Sequence, residues 1–167
     1  MRGICLVSLS ACAIRVMGVL AAVMLSSAAI APPAHADSFV QCSFSLTRPY
    51  IYSAEGADYV GIRIDARDCR TNLGTAPLTF VAAVTGSGLP PGNKSTSFEE
   101  TRYVSDGDNF SVFFPNDDRR IPLAPGVYST AGSVQTFLPG FRDVRDLARQ
   151  CATWQFQGAT CGPIARG

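Results

Sequence analysis

Histidine is almost missing from this sequence: His35 is the only one in 167 residues. It sits in "APPAHADSFV", residues 31–40, where Ala34 and Ala36 flank it in the A-x-A arrangement that the small pockets of a signal peptidase accept. Cleavage between Ala36 and Asp37 discards it. The expected mature chain, 37–167, then has no imidazole. That excludes serine or cysteine catalysis that relies on histidine as general base, and it removes a usual nitrogen ligand of zinc.

Lysine is as scarce, and glutamate nearly so. Lys94 stands alone beside "GSGLPPGN" with no Ser-x-x-Lys spacing around it, so a serine and lysine dyad has no motif here. Glu99 and Glu100 are neighbours on a strand-like stretch and point to opposite faces, so they cannot flank one glycosidic bond. Glu55 belongs to the turn "EGAD", and Glu55 with an aspartate is the one carboxylate pair left open. The expectation is a protein that is not an enzyme and carries no cofactor.

Long apolar runs are confined to the N-terminus. Val16 to Ile30 follows Arg15, and it falls short of the roughly 20 apolar residues that span a bilayer, so residues 1–36 read as a cleaved secretory signal rather than an integral anchor. "LSAC", Leu9 to Cys12, resembles the lipobox at which bacterial lipoproteins are acylated. Only eleven residues precede Cys12, however, and the better apolar run lies after it. The alanine-rich signal reads as bacterial, which takes force from the Asn-x-Ser sequons at Asn93 and Asn109.

One-sided charge is missing too. Removing Arg2 and Arg15 from the 14 basic residues leaves 12 against 13 acidic ones, a net charge of −1. No basic stripe remains for nucleic acid or an anionic membrane surface.

Cysteine is present in an even set. Cys5 and Cys12 leave with the signal, while Cys42, Cys69, Cys151 and Cys161 stay. Their wide spacing does not suit a metal site, and in an exported chain four cysteines make two disulfides with three open connectivities. The sequential pairing, Cys42 with Cys69 and Cys151 with Cys161, follows if the first two strands pair. It requires a bulge near Asp68, because Cys69 has the opposite parity to Val60 and Ile64. The chain-entropy model gives about 3.5 kcal/mol for the longer loop and about 2.7 for the shorter.

The 131 residues of the mature chain suffice for one domain, 37–167, and strand patterns fill it. "FVQCSFSLT", 39–47, alternates Val40, Cys42, Phe44 and Leu46 with polar residues, and "YVGIRIDAR", 59–67, repeats the alternation with Arg63, Asp65 and Arg67 outward. "PLTFVAAV", 77–84, suits a central strand covered on both sides. "SFEETRYV" and "NFSVFFP" flank "SDGD" as a hairpin, and "ATWQFQG" closes the chain as a strand. "GFRDVRDLARQ", 140–150, puts Phe141, Val144, Leu147 and Ala148 at helical spacing and predicts one short helix. "SDGDN" and "PNDD" each gather oxygen ligands, but Asn109 and Asn116 lie seven residues apart, about 23 Å of extended chain, too far to share a calcium ion.

About seven strands predict an all-β, two-sheet β-sandwich, with a small closed β-barrel as the alternative. "LAPGVY", 123–128, with Tyr128 just after the proline and glycine corner, resembles the corner before a late strand in immunoglobulin-like domains. The likeness implies architecture only. Thr130 stands where an antibody-type domain has its second core cysteine.

In "NFSVFFP", Phe110, Val112 and Phe114 share one face, so Ser111 and Phe113 share the other, and Ser111 marks that face as wet. Phe113 is therefore the candidate partner contact, with Tyr50 and Tyr52 of the loop "RPYIY" and Phe141 of the loop "LPGFR" as neighbours. These readings converge on a secreted, non-catalytic binding or surface-interaction module that meets an unknown protein or envelope component. The alternative is a secreted inhibitor or small-ligand carrier, which a rigid disulfide-braced frame would also suit.

Overall fold

A computed structural model describes residues 37–88, 94–115, 119–156 and 160–167. The expected signal peptide, 1–36, lies outside them, and so do Asn93 and Asn116–Asp118 of the sequon and the "PNDD" cluster.

Ten strands form two sheets: β1 (Val40–Leu46), β2 (Tyr50–Ala54), β3 (Ala57–Thr71), β4 (Thr75–Ser87), β5 (Lys94–Ser105), β6 (Phe110–Phe114), β7 (Ile121–Pro122), β8 (Gly126–Leu138), β9 (Phe141–Trp154) and β10 (Ala165–Arg166). In sheet I, the long β3 pairs with β2 along its first half and with β1 along its second, while β6 and β7 pair with it too, and β10 adds to β2 in parallel. Sheet II is the antiparallel series β5-β4-β8-β9. The sheets pack as a sandwich and do not close into a barrel.

Alternation builds the core. Val40, Cys42 and Leu46 of β1, Val60, Ile62 and Ile64 of β3, and Val112 and Phe114 of β6 are buried from one side. Leu78, Phe80, Ala82 and Val84 of β4, Phe98 of β5, and Tyr128 and Val134 of β8 meet them from the other. Phe80 is gripped edge-on by Phe44 at 6.1 Å and Phe110 at 5.7 Å, and Phe98 stacks on Phe114 at 5.7 Å. Such ring pairs each add about 0.5–1.5 kcal/mol beyond area burial.

Both disulfides join sequential cysteines. Cys42 and Cys69 lie on paired strands with Cα atoms 4.1 Å apart, and the register slips between Gln41 and Ser43 because β3 carries an extra residue there, with Asp68 at φ 52°. The bulge reconciles the parity of Cys69 with the burial of both sulfurs. Cys151 of β9 joins Cys161, and the segment beyond runs beside Thr153 before becoming β10.

Several expectations change. Residues 140–150 hold no helix: Phe141 opens β9, which pairs with β8 from Leu138↔Phe141 to Gly126↔Trp154. The two residues between Leu138 and Phe141 are Pro139 and Gly140, and Gly140 takes φ 77°, the geometry of a turn with proline then glycine at its centre. That turn commits the next residues to the hairpin, and cross-strand pairing overrides the helical spacing. Tyr50 and Tyr52 are on strand β2, not in a loop. β5 and β6 do not form a hairpin, since β5 pairs with β4 and β6 with β3, so "SDGD" crosses between sheets. β4 is central but covered on one face only; Thr79, Val81 and Ala83 remain half-exposed. Of "ATWQFQG", Ala152, Thr153 and Trp154 belong to a strand, and Phe156 is exposed beyond it.

Candidate functional site

Period 2 places the site as it places the core. On the outer face of sheet I, Tyr50 of β2 lies opposite Gly61 of β3, Tyr52 opposite Tyr59, and Phe113 of β6 opposite Arg63. Phe113 is 53% exposed. The Arg63 guanidinium stands over its ring at 5.9 Å, a cation–π contact. Tyr52 lies between Tyr50 and Tyr59, with ring centroids 6.5 and 5.8 Å away, and Arg120 covers Tyr59 at 5.4 Å.

Gly61 makes this row of rings fit. A Cβ there would lie 3.0 Å from both Tyr50 Cζ and Tyr52 Cδ1, so the missing side chain lets both rings lie on the β3 backbone. Gly167 closes over the other side of Tyr50, where its amide donates to Ile51 O at 3.0 Å.

Between these elements is a groove of about 400 Å³. Thr47, Arg48 and Pro49 line it from the β1–β2 connection, with Tyr50, Arg63 and Phe113 from sheet I and Pro163, Ala165 and Gly167 from the C-terminal segment. Its two cations differ. Arg63 Nε lies 3.0 Å from Asp65 Oδ1, near enough for an ion pair but off the line of a hydrogen bond. Arg48 is exposed and has no acidic partner among the described residues. Burial pushes the Tyr50 phenol above its ordinary pKa, with Arg63 pulling it part of the way back. Burial likewise raises Tyr52, against the pull of Arg120. Both phenols are neutral donors at physiological pH, so the face can hold a ligand by ring contact, hydrogen bonding and positive charge.

Phe141 is elsewhere. It packs against the core at the β8–β9 turn in sheet II, so the structure brings together Phe113, Tyr50 and Tyr52 but not Phe141. Arg48, Gly61, Arg63 and the C-terminal wall are the site residues missed from sequence. The outward parity of Gly61 and Arg63 in "YVGIRIDAR" carried the signal for two of them.

A second hollow, of about 310 Å³, is lined by Arg102, Tyr103, Asp108, Asn109, Phe110 and Ser111. There Asp108 Oδ2 accepts from Ser105 N at 2.7 Å and Asn109 Oδ1 accepts from Asp68 N at 3.0 Å, so the "SDGDN" oxygens serve the inter-sheet turn and the β3 bulge. Among the described residues no group of three or more His, Cys, Asp or Glu side chains could hold a metal ion. Comparison with protein-family models, curated proteins and solved structures finds no match.

Proposed function

We propose that the chain is a secreted, non-catalytic binding module that meets a protein or envelope component through the outer face of sheet I. The observation that carries the reading is the exposed Phe113 ring, set beside Tyr50 and Arg63 over a groove instead of packed into the core. Aromatic and arginine side chains on a rigid frame are the composition of binding hot spots. Two disulfides fit an oxidising compartment outside the cytoplasm.

The immunoglobulin-like kinship belongs to the same proposal. Its support is Tyr128, fully buried, whose hydroxyl accepts from Ala124 N and donates to Ala124 O, both at 2.7 Å, in the manner of a tyrosine corner.

The test compares wild type with Phe113→Ser in thermal melting and in capture from envelope extracts and secreted proteins. Melting should hold within about 0.5 kcal/mol, as for a surface substitution, while capture is lost. A large loss of stability, or unchanged capture, would sink the reading.

A further inference from the structure

We infer that the outer edge of β2 receives an extended peptide segment of the partner, and that residues 165–167 are a strap holding this edge until the segment takes their place. The inference rests on the reading of the outer face of sheet I as the contact surface and names how a partner engages it.

The resident strap shows what the edge accepts. Ala165 pairs with Tyr50 and Arg166 with Ile51, in parallel, and Gly167 N donates to Ile51 O at 3.0 Å. A Cβ on Gly167 would lie 2.9 Å from Tyr50 Cε2, so the place against the ring is reserved for glycine. Since Ile51 turns its carbonyl to the outer edge, Ser53, two residues on, turns its backbone groups the same way. No strand lies beside Ser53 on that side among the described residues. An incoming strand that continues past the glycine pairs with Ser53 as well, a bond the strap does not reach, and this favours the exchange.

The strap is lightly held and firmly hinged. Ala165, Arg166 and Gly167 are all exposed, and the pair that Arg166 makes with Asp58 lies at the surface. Ile164 just before them is buried, its amide donates to Thr153 O at 2.9 Å, and Cys151–Cys161 anchors the chain behind it. Opening beyond Ile164 therefore leaves the core in place, uncovers the Tyr50 ring and removes the Ala165 and Gly167 wall of the groove that Phe113 lines. The longer edge of β5 is closed to such pairing. Glu100 and Arg102 share the parity of the buried Phe98 and Val104 and pair with each other, and inward-pointing charges blunt an edge.

The experiment uses the peptide ARGTV, blocked at both ends, which copies the strap and runs on along Ser53. It is titrated into the exported chain and into a chain shortened to end at Ile164, following backbone amide resonances by NMR. The shortened chain should show saturable shifts at Ile51 and Ser53, and the intact chain should bind at least about tenfold more weakly, because its tethered strap competes at high local concentration. The peptide ARVTV, with valine in the glycine place, should bind the shortened chain at least about tenfold more weakly than ARGTV. Gly167→Val in the full chain puts a side chain against Tyr50, lifts the strap and should raise affinity for ARGTV toward that of the shortened chain. No saturable shift at Ile51 and Ser53 in either variant, equal affinity of the two peptides, or equal affinity of intact and shortened chains overturns the inference. If that happens while Phe113→Ser still abolishes capture, the strand exchange is wrong and the contact surface stands. If Phe113→Ser captures as wild type does, the surface itself is wrong.

Discussion

A single hydroxyl shows how far one residue supports this frame. Tyr128 is fully buried, and its Oη supplies both an acceptor and a donor to Ala124 at the corner that starts β8. Burial raises its pKa, so the phenol is protonated and keeps both bonds throughout the physiological range. Tyr128→Phe preserves the ring and strands the Ala124 N–H and C=O, which should cost about 1–2 kcal/mol. Thermal melting should show this as a midpoint lower by several degrees, and an unchanged midpoint would remove the corner from the account. Phe113 and Tyr128 were both legible from sequence, because period 2 fixes a strand residue's face and a proline and glycine corner marks where β8 begins. Gly61 was not. Its role depends on which strand lies beside β3, and no local pattern names a neighbour.

At the scale of elements, the C-terminal segment ties the two sheets together. Ile164 N donates to Thr153 O at 2.9 Å on the sheet II side, and Gly167 N donates to Ile51 O on the sheet I side. Cys42 and Cys69 are buried, whereas Cys151 and Cys161 are only partly covered. Since exchange needs access, mild reductant should open Cys151–Cys161 first and expose the Ile164 and Gly167 amides to hydrogen exchange. Thiol labelling with peptide mapping checks the order, and earlier labelling of Cys42 or Cys69 would contradict it. A second fastening is electrostatic. Arg166 donates to Asp58 at 2.8 and 3.3 Å, Ser53 Oγ donates at 2.6 Å, and these bonds hold the Asp58 carboxyl below its ordinary pKa. A carboxyl lowered in the folded state stabilises above the unfolded pKa and loses that contribution as pH falls through the folded one. Acidification from about pH 4 downward should therefore lower the protection of the Gly167 amide relative to its intrinsic exchange rate, and Asp58→Asn should abolish the step; protection that does not change with pH would contradict it. This region was the least legible. The helical spacing of 141–148 was outweighed by the Pro139–Gly140 turn, and the charges on Arg142, Asp143, Arg145 and Asp146 suit an edge strand that must not recruit another chain.

For the whole molecule, the question is which of two outer faces meets a partner. Sheet I presents rings, guanidiniums and a groove. Sheet II presents small and hydroxylated side chains paired among themselves, such as Thr79 with Thr101 at 3.0 Å and Thr85 with Ser95 at 3.1 Å, beside two exposed aromatics. These are Phe137 on β8, 53% exposed with the Arg142 guanidinium 4.9 Å from its ring centroid, and Tyr103 on β5, 74% exposed. All-β architecture was readable because strand alternation is local. The assignment of strands to sheets was not, and that assignment decides which residues share a face; "SDGD" read as a hairpin would have set β5 beside β6. The most direct measurement installs the same aromatic photo-crosslinker at Phe113 in one preparation and at Tyr103 in another, and irradiates each with envelope and secreted extracts. The account predicts a discrete adduct from position 113 and none from position 103. An adduct from 103 with none from 113 would contradict it.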